Sequence, residues 1–293
     1  MKILITGSKG QLGTQITNII NAKESELGKI NTVYNDALVK GIDLDELDVA
    51  DLNDVRRIIL DFAPNLVINC AAYTNVDGCE ANEDVAFKAN AIGPRNLAMA
   101  CEEIGAKLVH ISTDYIFAGR GDKPYREYDL ANPINVYGKT KLLGERYVQQ
   151  QCRKYFIVRT AWLYGLSGNN FVKTILKAAN ANSSLNVVND QRGNPTNAED
   201  LAYHILKLAL TEEYGIYHCT GSGECSWYDF ACKIIEYSKL DCTVKPVTTD
   251  EYKKIAMRPA FSSLDNMMLR CTIGDEMRPW QEALKMFINN LSK

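Results

Sequence analysis

A chain of 293 residues with 46% hydrophobic and 24% charged side chains can bury a sizeable core, as one large domain or two smaller ones. A formal net charge of -3, with no long basic run, argues against a nucleic-acid binder and points to a small-molecule partner. No uncharged apolar run approaches the length of a membrane span, so no membrane partner is expected.

Nine cysteines lie scattered without a C-x-x-C pair, and the three histidines lack H-x-x-x-H spacing, so no metal is expected. The N-terminus carries no signal-peptide pattern. Reduced thiols in a cytoplasmic protein are the expectation.

In chain order, Lys2–Thr6 is a short apolar strand that runs directly into G-S-K-G-Q-L-G. Gly7 allows a tight turn, Gly10 lets backbone approach a pyrophosphate, and Gly13 permits close packing of helix on sheet. A helix follows, with Leu12, Ile16, Ile19 and Ile20 on one side and Gln11 and Leu12 in its first turn. Amides at such a helix start favour an anion, so these residues are candidates for a dinucleotide.

A second apolar run, residues 37–42, ends at Asp43. A carboxylate there can accept hydrogen bonds from adenosine ribose hydroxyls and repel a 2'-phosphate, which favours NADH over NADPH. Its distance from Gly13 exceeds the usual spacing, leaving Asp36 and Asp45 as alternatives. Asp48 and Val49 stand where an adenine could be met. Leu52, Val55, Ile58, Ile59 and Phe62 mark an amphipathic helix stopped by Pro64, and Leu66–Asn69 reads as a third strand. Ala71, Ala72 and Thr74 beyond it are small enough for a cofactor to cross.

A long helix is expected over residues 83–104, ending at Gly105, then a fourth strand over 107–112 closing in S-T-D-Y. Tyr137 and Lys141 share a helical face at i and i+4, where a cation can draw a phenol's pKa down towards the working range. Thr113 could hydrogen-bond a substrate carbonyl while Tyr137 gives it a proton, with Lys141 holding the cofactor ribose. A fifth strand is expected over 155–159, helices over 197–210 and 227–237, and a late strand over 216–219.

Alternation of this kind calls for an α/β fold, a Rossmann-type doubly wound parallel sheet with a smaller C-terminal substrate-binding lobe. Residues 1–165 would form the NAD(P)-binding part, rejoined by about 196–219, with 166–195 and 220–293 forming the lobe.

Taken together, G-S-K-G-Q-L-G, N-C-A-A-Y-T-N-V-D, H-I-S-T-D-Y-I-F, N-V-Y-G-K-T-K-L-L-G-E, R-T-A-W-L-Y, V-V-N-D-Q-R-G-N-P-T and R-P-A-F-S-S-L resemble the extended short-chain dehydrogenase/reductases across nearly the whole chain. The resemblance implies reduction of the C4 ketone of a dTDP-4-keto-6-deoxy sugar, with Thr113, Asp114, Tyr115, Tyr137 and Lys141 as catalytic residues. It implies Trp162 as an aromatic wall against the sugar, and Asn169, Asn170 and Phe171 as sugar or nucleotide contacts. Asn90 would orient active-site water and backbone. Arg258 is the candidate for the diphosphate, since a guanidinium suits bidentate phosphate recognition. Tyr115, where a sugar dehydratase would carry an acid, favours simple reduction over elimination. Some members form a homodimer around a metal held by acids, one of them in the first helix; Gln15 stands in that helix here, so a homodimer is admitted without a metal.

Overall fold

The computed structural model describes residues 1–252 and 254–291. Six strands form the central sheet: β1 (Lys2–Thr6), β2 (Leu38–Ile42), β3 (Leu66–Asn69), β4 (Lys107–Thr113), β5 (Tyr155–Thr160) and β6 (Gly215–His218). Their order is β6-β5-β4-β3-β1-β2, and every neighbouring pair is parallel. The order reverses between β1 and β3, where an open α/β sheet leaves a crevice beyond its carboxyl ends.

Alternation along each strand builds the two covered faces. Ile3, Ile5, Leu66, Ile68, Val109, Phe156 and Val158 face α1 (Gln11–Ala22) and a later helix, Ala198–Ala209. Leu4, Val67, Leu108 and Ile157 face the opposite way, against α2 (Leu52–Phe62), α3 (Gly93–Ile104) and α4 (Val136–Gln151). Burial on both faces follows from the parallel crossovers, each of which lays a helix on the sheet. Among the described residues no helix is long and apolar enough to cross a membrane.

A separate apolar cluster lies C-terminal to the sheet. α5 (Phe171–Ala181), α6 (Ala198–Ala209), α7 (Trp227–Ser238) and α8 (Trp280–Leu291) follow in order, and α5, α7 and α8 contribute Val172, Ile175, Phe230, Ile234, Trp280, Leu284 and Phe287 to it. Beside them Ser184–Val188 pairs in parallel with Thr243–Val247.

The expected long helix over 83–104 is not continuous. It divides into Glu83–Phe87, a π-helix Lys88–Ile92, and α3. Pro94 lacks an amide proton for the helical ladder. Gly93 also presses on Val49: a Cβ there would lie 2.5 Å from Val49 Cγ2. The wide turn buries Asn90, whose side chain accepts from Tyr73 N (2.8 Å) and donates to Tyr73 O (3.0 Å). The helix thus gives up regular geometry to clamp the loop after β3.

Candidate active site

The glycine segment bends because its residues admit no side chain. Gly7 has φ +65°, and a Cβ on it would lie 2.7 Å from Ala71 N; one on Gly13 would lie 2.4 Å from Gly7 O. Both contacts are to backbone, which cannot swing aside. Gly10 caps α1 without any side-chain hydrogen bond, so the first-turn amides are left for an anion. These features fit a dinucleotide pyrophosphate.

Asp43 meets the same turn. Its carboxylate accepts from Lys9 N (2.9 Å) and Leu44 N (2.9 Å). Among the three acids left open by spacing, Asp43 stands on the wall of the cleft, whereas Asp45 pairs with the Lys9 ammonium at 2.6 Å on the exposed surface.

A cleft of about 920 Å³ joins this turn to the ends of β3, β4 and β5. It brings together Gly7, Gly10, Gln11, Leu12, Asp43, Asp48, Val49, Ala71, Ala72 and Thr74 with Thr113, Asp114, Tyr137, Lys141 and Trp162. α4 starts on Asn135, whose side chain accepts from Gly138 N at 2.8 Å, and this cap sets Tyr137 and Lys141 against the end of β4.

The electrostatics differ from the expectation for the Tyr137–Lys141 pair. Burial pushes the Tyr137 phenol above its ordinary value, with the Thr113 hydroxyl opposing, and Lys141 is not among the groups that move it. The Lys141 ammonium instead donates to Ile111 O at 2.5 Å, and burial pushes its pKa down to about 8. A phenol that keeps its proton is suited to donate it.

Burial also pushes Asp114 up to about 6, against opposing hydrogen bonds from Ser262 and Thr113. The sign follows from linkage: a carboxyl with a raised folded pKa adds stability that is full below about 3.8 and lost as pH rises through about 6. The difference corresponds to about 3 kcal/mol. Asp114→Asn is therefore expected to raise Tm by several degrees at pH 8 and by little at pH 4, read by thermal unfolding. An equal Tm change at both pH values would remove Asp114 from the pH dependence.

Trp162 adopts φ +47°, a left-handed conformation costly for a bulky residue. It is held there by stacking on Trp227, with ring centroids 3.5 Å apart, and by Gly193, where a Cβ would lie 2.6 Å from the indole.

Other expected residues stand away from this cleft. Gly13 and Asn90 support it from behind. Tyr115 packs edge-on against Tyr137 at 5.9 Å between centroids. Arg258 is paired with Asp77 at 2.7 Å, close enough for both to act on the Tyr115 phenol. Asn170 is buried as the cap of α5, accepting from Lys173 N (3.1 Å) and donating to Gln11 Oε1 (3.0 Å). Phe171 packs on Trp227 and Phe230, and Asn169 is exposed.

Lys9, Tyr73, Lys88 and Thr160 line the cleft although the sequence did not single them out. Lys9 had a legible signal, a cation inside the glycine turn. Lys88 had none, because it opens the π-helix.

The fold and this cleft define a nicotinamide-dependent oxidoreductase of the extended short-chain dehydrogenase/reductase class. The family described as RmlD substrate binding domain matches residues 1–293, and the chain belongs to it. The chain is 40% identical to the spore coat polysaccharide biosynthesis protein SpsK of Bacillus subtilis, over 99% of this chain and 98% of that protein. It superposes on the crystal structure of a dTDP-4-dehydrorhamnose reductase from Clostridium acetobutylicum with a TM-score of 0.94, at 46% identity and covering 100% of both chains. The dTDP-4-dehydrorhamnose reductase of Bacillus anthracis, in complex with NADP, matches at 41% identity, TM-score 0.92 and 99% of each chain.

Proposed function

We propose that this protein is a dTDP-4-dehydrorhamnose reductase, converting the C4 ketone of dTDP-4-dehydro-L-rhamnose to the alcohol of dTDP-L-rhamnose. The observation that carries the reading is the single cleft shared by the glycine turn and by Thr113, Tyr137 and Lys141, in a chain matched end to end by such reductases.

When bound, the reduced nicotinamide supplies the hydride. Gly7 to Gly13 and the open amides of α1 would hold its pyrophosphate, Asp43 its adenosine ribose, and Asp48 and Val49 its adenine side. Lys141 would hold the nicotinamide ribose. Thr113 Oγ1 orients the ketone oxygen, and Tyr137 donates its phenolic proton to the oxygen as charge develops there. In the free protein that hydroxyl donates its one proton to Asp114 at 2.9 Å, and it would turn from Asp114 to the ketone oxygen when substrate binds. Trp162 walls the sugar. Arg258 would meet the diphosphate by exchanging its Asp77 partner for phosphate oxygens.

The test is oxidation of NADH or NADPH by purified protein with dTDP-4-dehydro-L-rhamnose; no consumption of either would sink the reading. NADH is expected to be preferred, because the Asp43 carboxylate opposes a 2'-phosphate. Asp43→Ala should move the ratio of kcat/KM values towards NADPH by about tenfold, the effect of losing roughly 1.4 kcal/mol of repulsion. A wild-type protein clearly preferring NADPH would overturn this role for Asp43.

A further inference from the structure

Tyr137, Lys141 and Glu145 follow one another at four-residue steps, so all three share one face of α4. The cleft uses the first two. Glu145 lies below it, 1% exposed, and the proposed chemistry does not touch it. Its carboxylate accepts from Ser112 Oγ at 2.5 Å and from Arg159 through Nε (3.0 Å) and Nη2 (2.8 Å). Ser112 and Arg159 are register partners on β4 and β5. One carboxylate therefore ties the catalytic helix to both strands whose ends carry Thr113 and Trp162. Arg159 is itself fixed by Glu127 O (3.2 Å) and His218 Nε2 (3.3 Å).

The groups around Lys141 narrow what this carboxylate can do. Tyr137 and Glu145 lie on its own helix, Cys70 beyond β3, His110 and Asp114 on and after β4, Arg159 on β5, and Lys88 on the π-helix. Asp77 and Glu80 meet the other end of α4, where Glu80 accepts from Val136 N at 2.9 Å. Burial pushes the Cys70 thiol up to about 12 and His110 well below its usual value, so both are uncharged near neutrality. Tyr137 keeps its proton. Asp114, near 6, bears on the acid side of a pH profile. Glu145 is left as the carboxylate one helical turn from the ammonium, in a region where Lys141 is 2% and Arg159 4% exposed, so solvent hardly screens it.

We propose that Glu145 is a positioning residue for the reduction, holding Lys141 in its cationic form and pinning α4 to the ends of β4 and β5. The inference rests on the reductase reading above. Glu145→Gln keeps the shape and a hydrogen bond to Ser112 but removes the charge. Its expected effect is a fall of roughly 1–3 pH units in the Lys141 titration, with the alkaline limb of kcat/KM moving down by the same amount.

The titration is read by NMR of ¹³C-labelled lysine in cofactor-free protein, the Lys141 signal being identified by its absence in Lys141→Arg. Glu145→Asp, which retains the charge, should restore the alkaline limb to near its wild-type position. The double variant Glu145→Gln/Arg159→Met removes the guanidinium that the single variant leaves unpaired and serves if the single variant does not fold; it should show a smaller fall of the same sign. A Lys141 titration unmoved in these charge-removing variants, with activity lowered equally at every pH, would overturn the proposal. The titration needs no substrate. A wild-type protein inactive on the keto sugar would thus sink the functional reading while leaving this result legible.

Discussion

Tyr137→Phe is expected to lower kcat by ~10²- to 10⁴-fold, the loss associated with removing a general acid. The substitution deletes one oxygen and keeps the ring, so the edge-on packing against Tyr115 should survive. The glycine turn and Asp43 lie on other segments, so cofactor affinity, measured by fluorescence titration, should change by less than a few fold. Burial pushes the phenol's pKa up, so it keeps its proton and is the donor that the substitution removes. Activity equal to wild type would move the proton source to another group.

A comparable loss is expected from a position with no chemistry of its own. A Cβ on Gly138 would lie 2.1 Å from Tyr115 O and 2.9 Å from Pro133 Cβ. The first of these is backbone, so Gly138→Ala must push α4 away from the helical turn Asp114–Ile116 that follows β4. α4 carries Tyr137, and the turn follows directly on Thr113, which caps it. A displacement near 1 Å between them is expected to cost about 10²-fold in kcat/KM. Overpacking of this kind also costs about 1–3 kcal/mol of stability, visible as a lower Tm. Cofactor affinity should fall less than turnover, since of the proposed cofactor contacts only Lys141 rides on α4. A variant with undiminished turnover would show that the spacing of α4 from β4 does not limit the reaction.

Much of the sheet was legible because buried parallel strands are short apolar runs bounded by polar or glycine residues. The expected strand over 155–159 extends one residue further, to Thr160, and that over 107–112 reaches Thr113. Such ends are set by pairing with a neighbouring strand, here Thr113 opposite Thr160. The break at Lys88–Ile92 was less legible. Pro94 is a local cause, but the others are distant in sequence: Val49 beneath Gly93 and the Tyr73 backbone held by Asn90.

The choice among Asp36, Asp43 and Asp45 shows the same division. Spacing alone left all three open. Register supports the choice of Asp43 proposed above, because Thr6 pairs with Ile42 and so brings Asp43 beside the glycine turn, where Lys9 N binds it. Asn170 and Phe171, expected as ligand contacts from their motif, have structural roles that the motif does not show, as a helix cap and as part of an aromatic cluster. A motif records which residues are needed without saying what each one touches.

The turn at Gly7 to Gly13 and the shared face of Tyr137 and Lys141 were already contained in the order of residues, because backbone freedom and a four-residue helical step are local properties. The charge state of that pair was not. It depends on burial by strands and helices far apart in the chain, and on a Glu145 carboxylate anchored by Ser112 and Arg159. Only folding brings those groups within reach of one another.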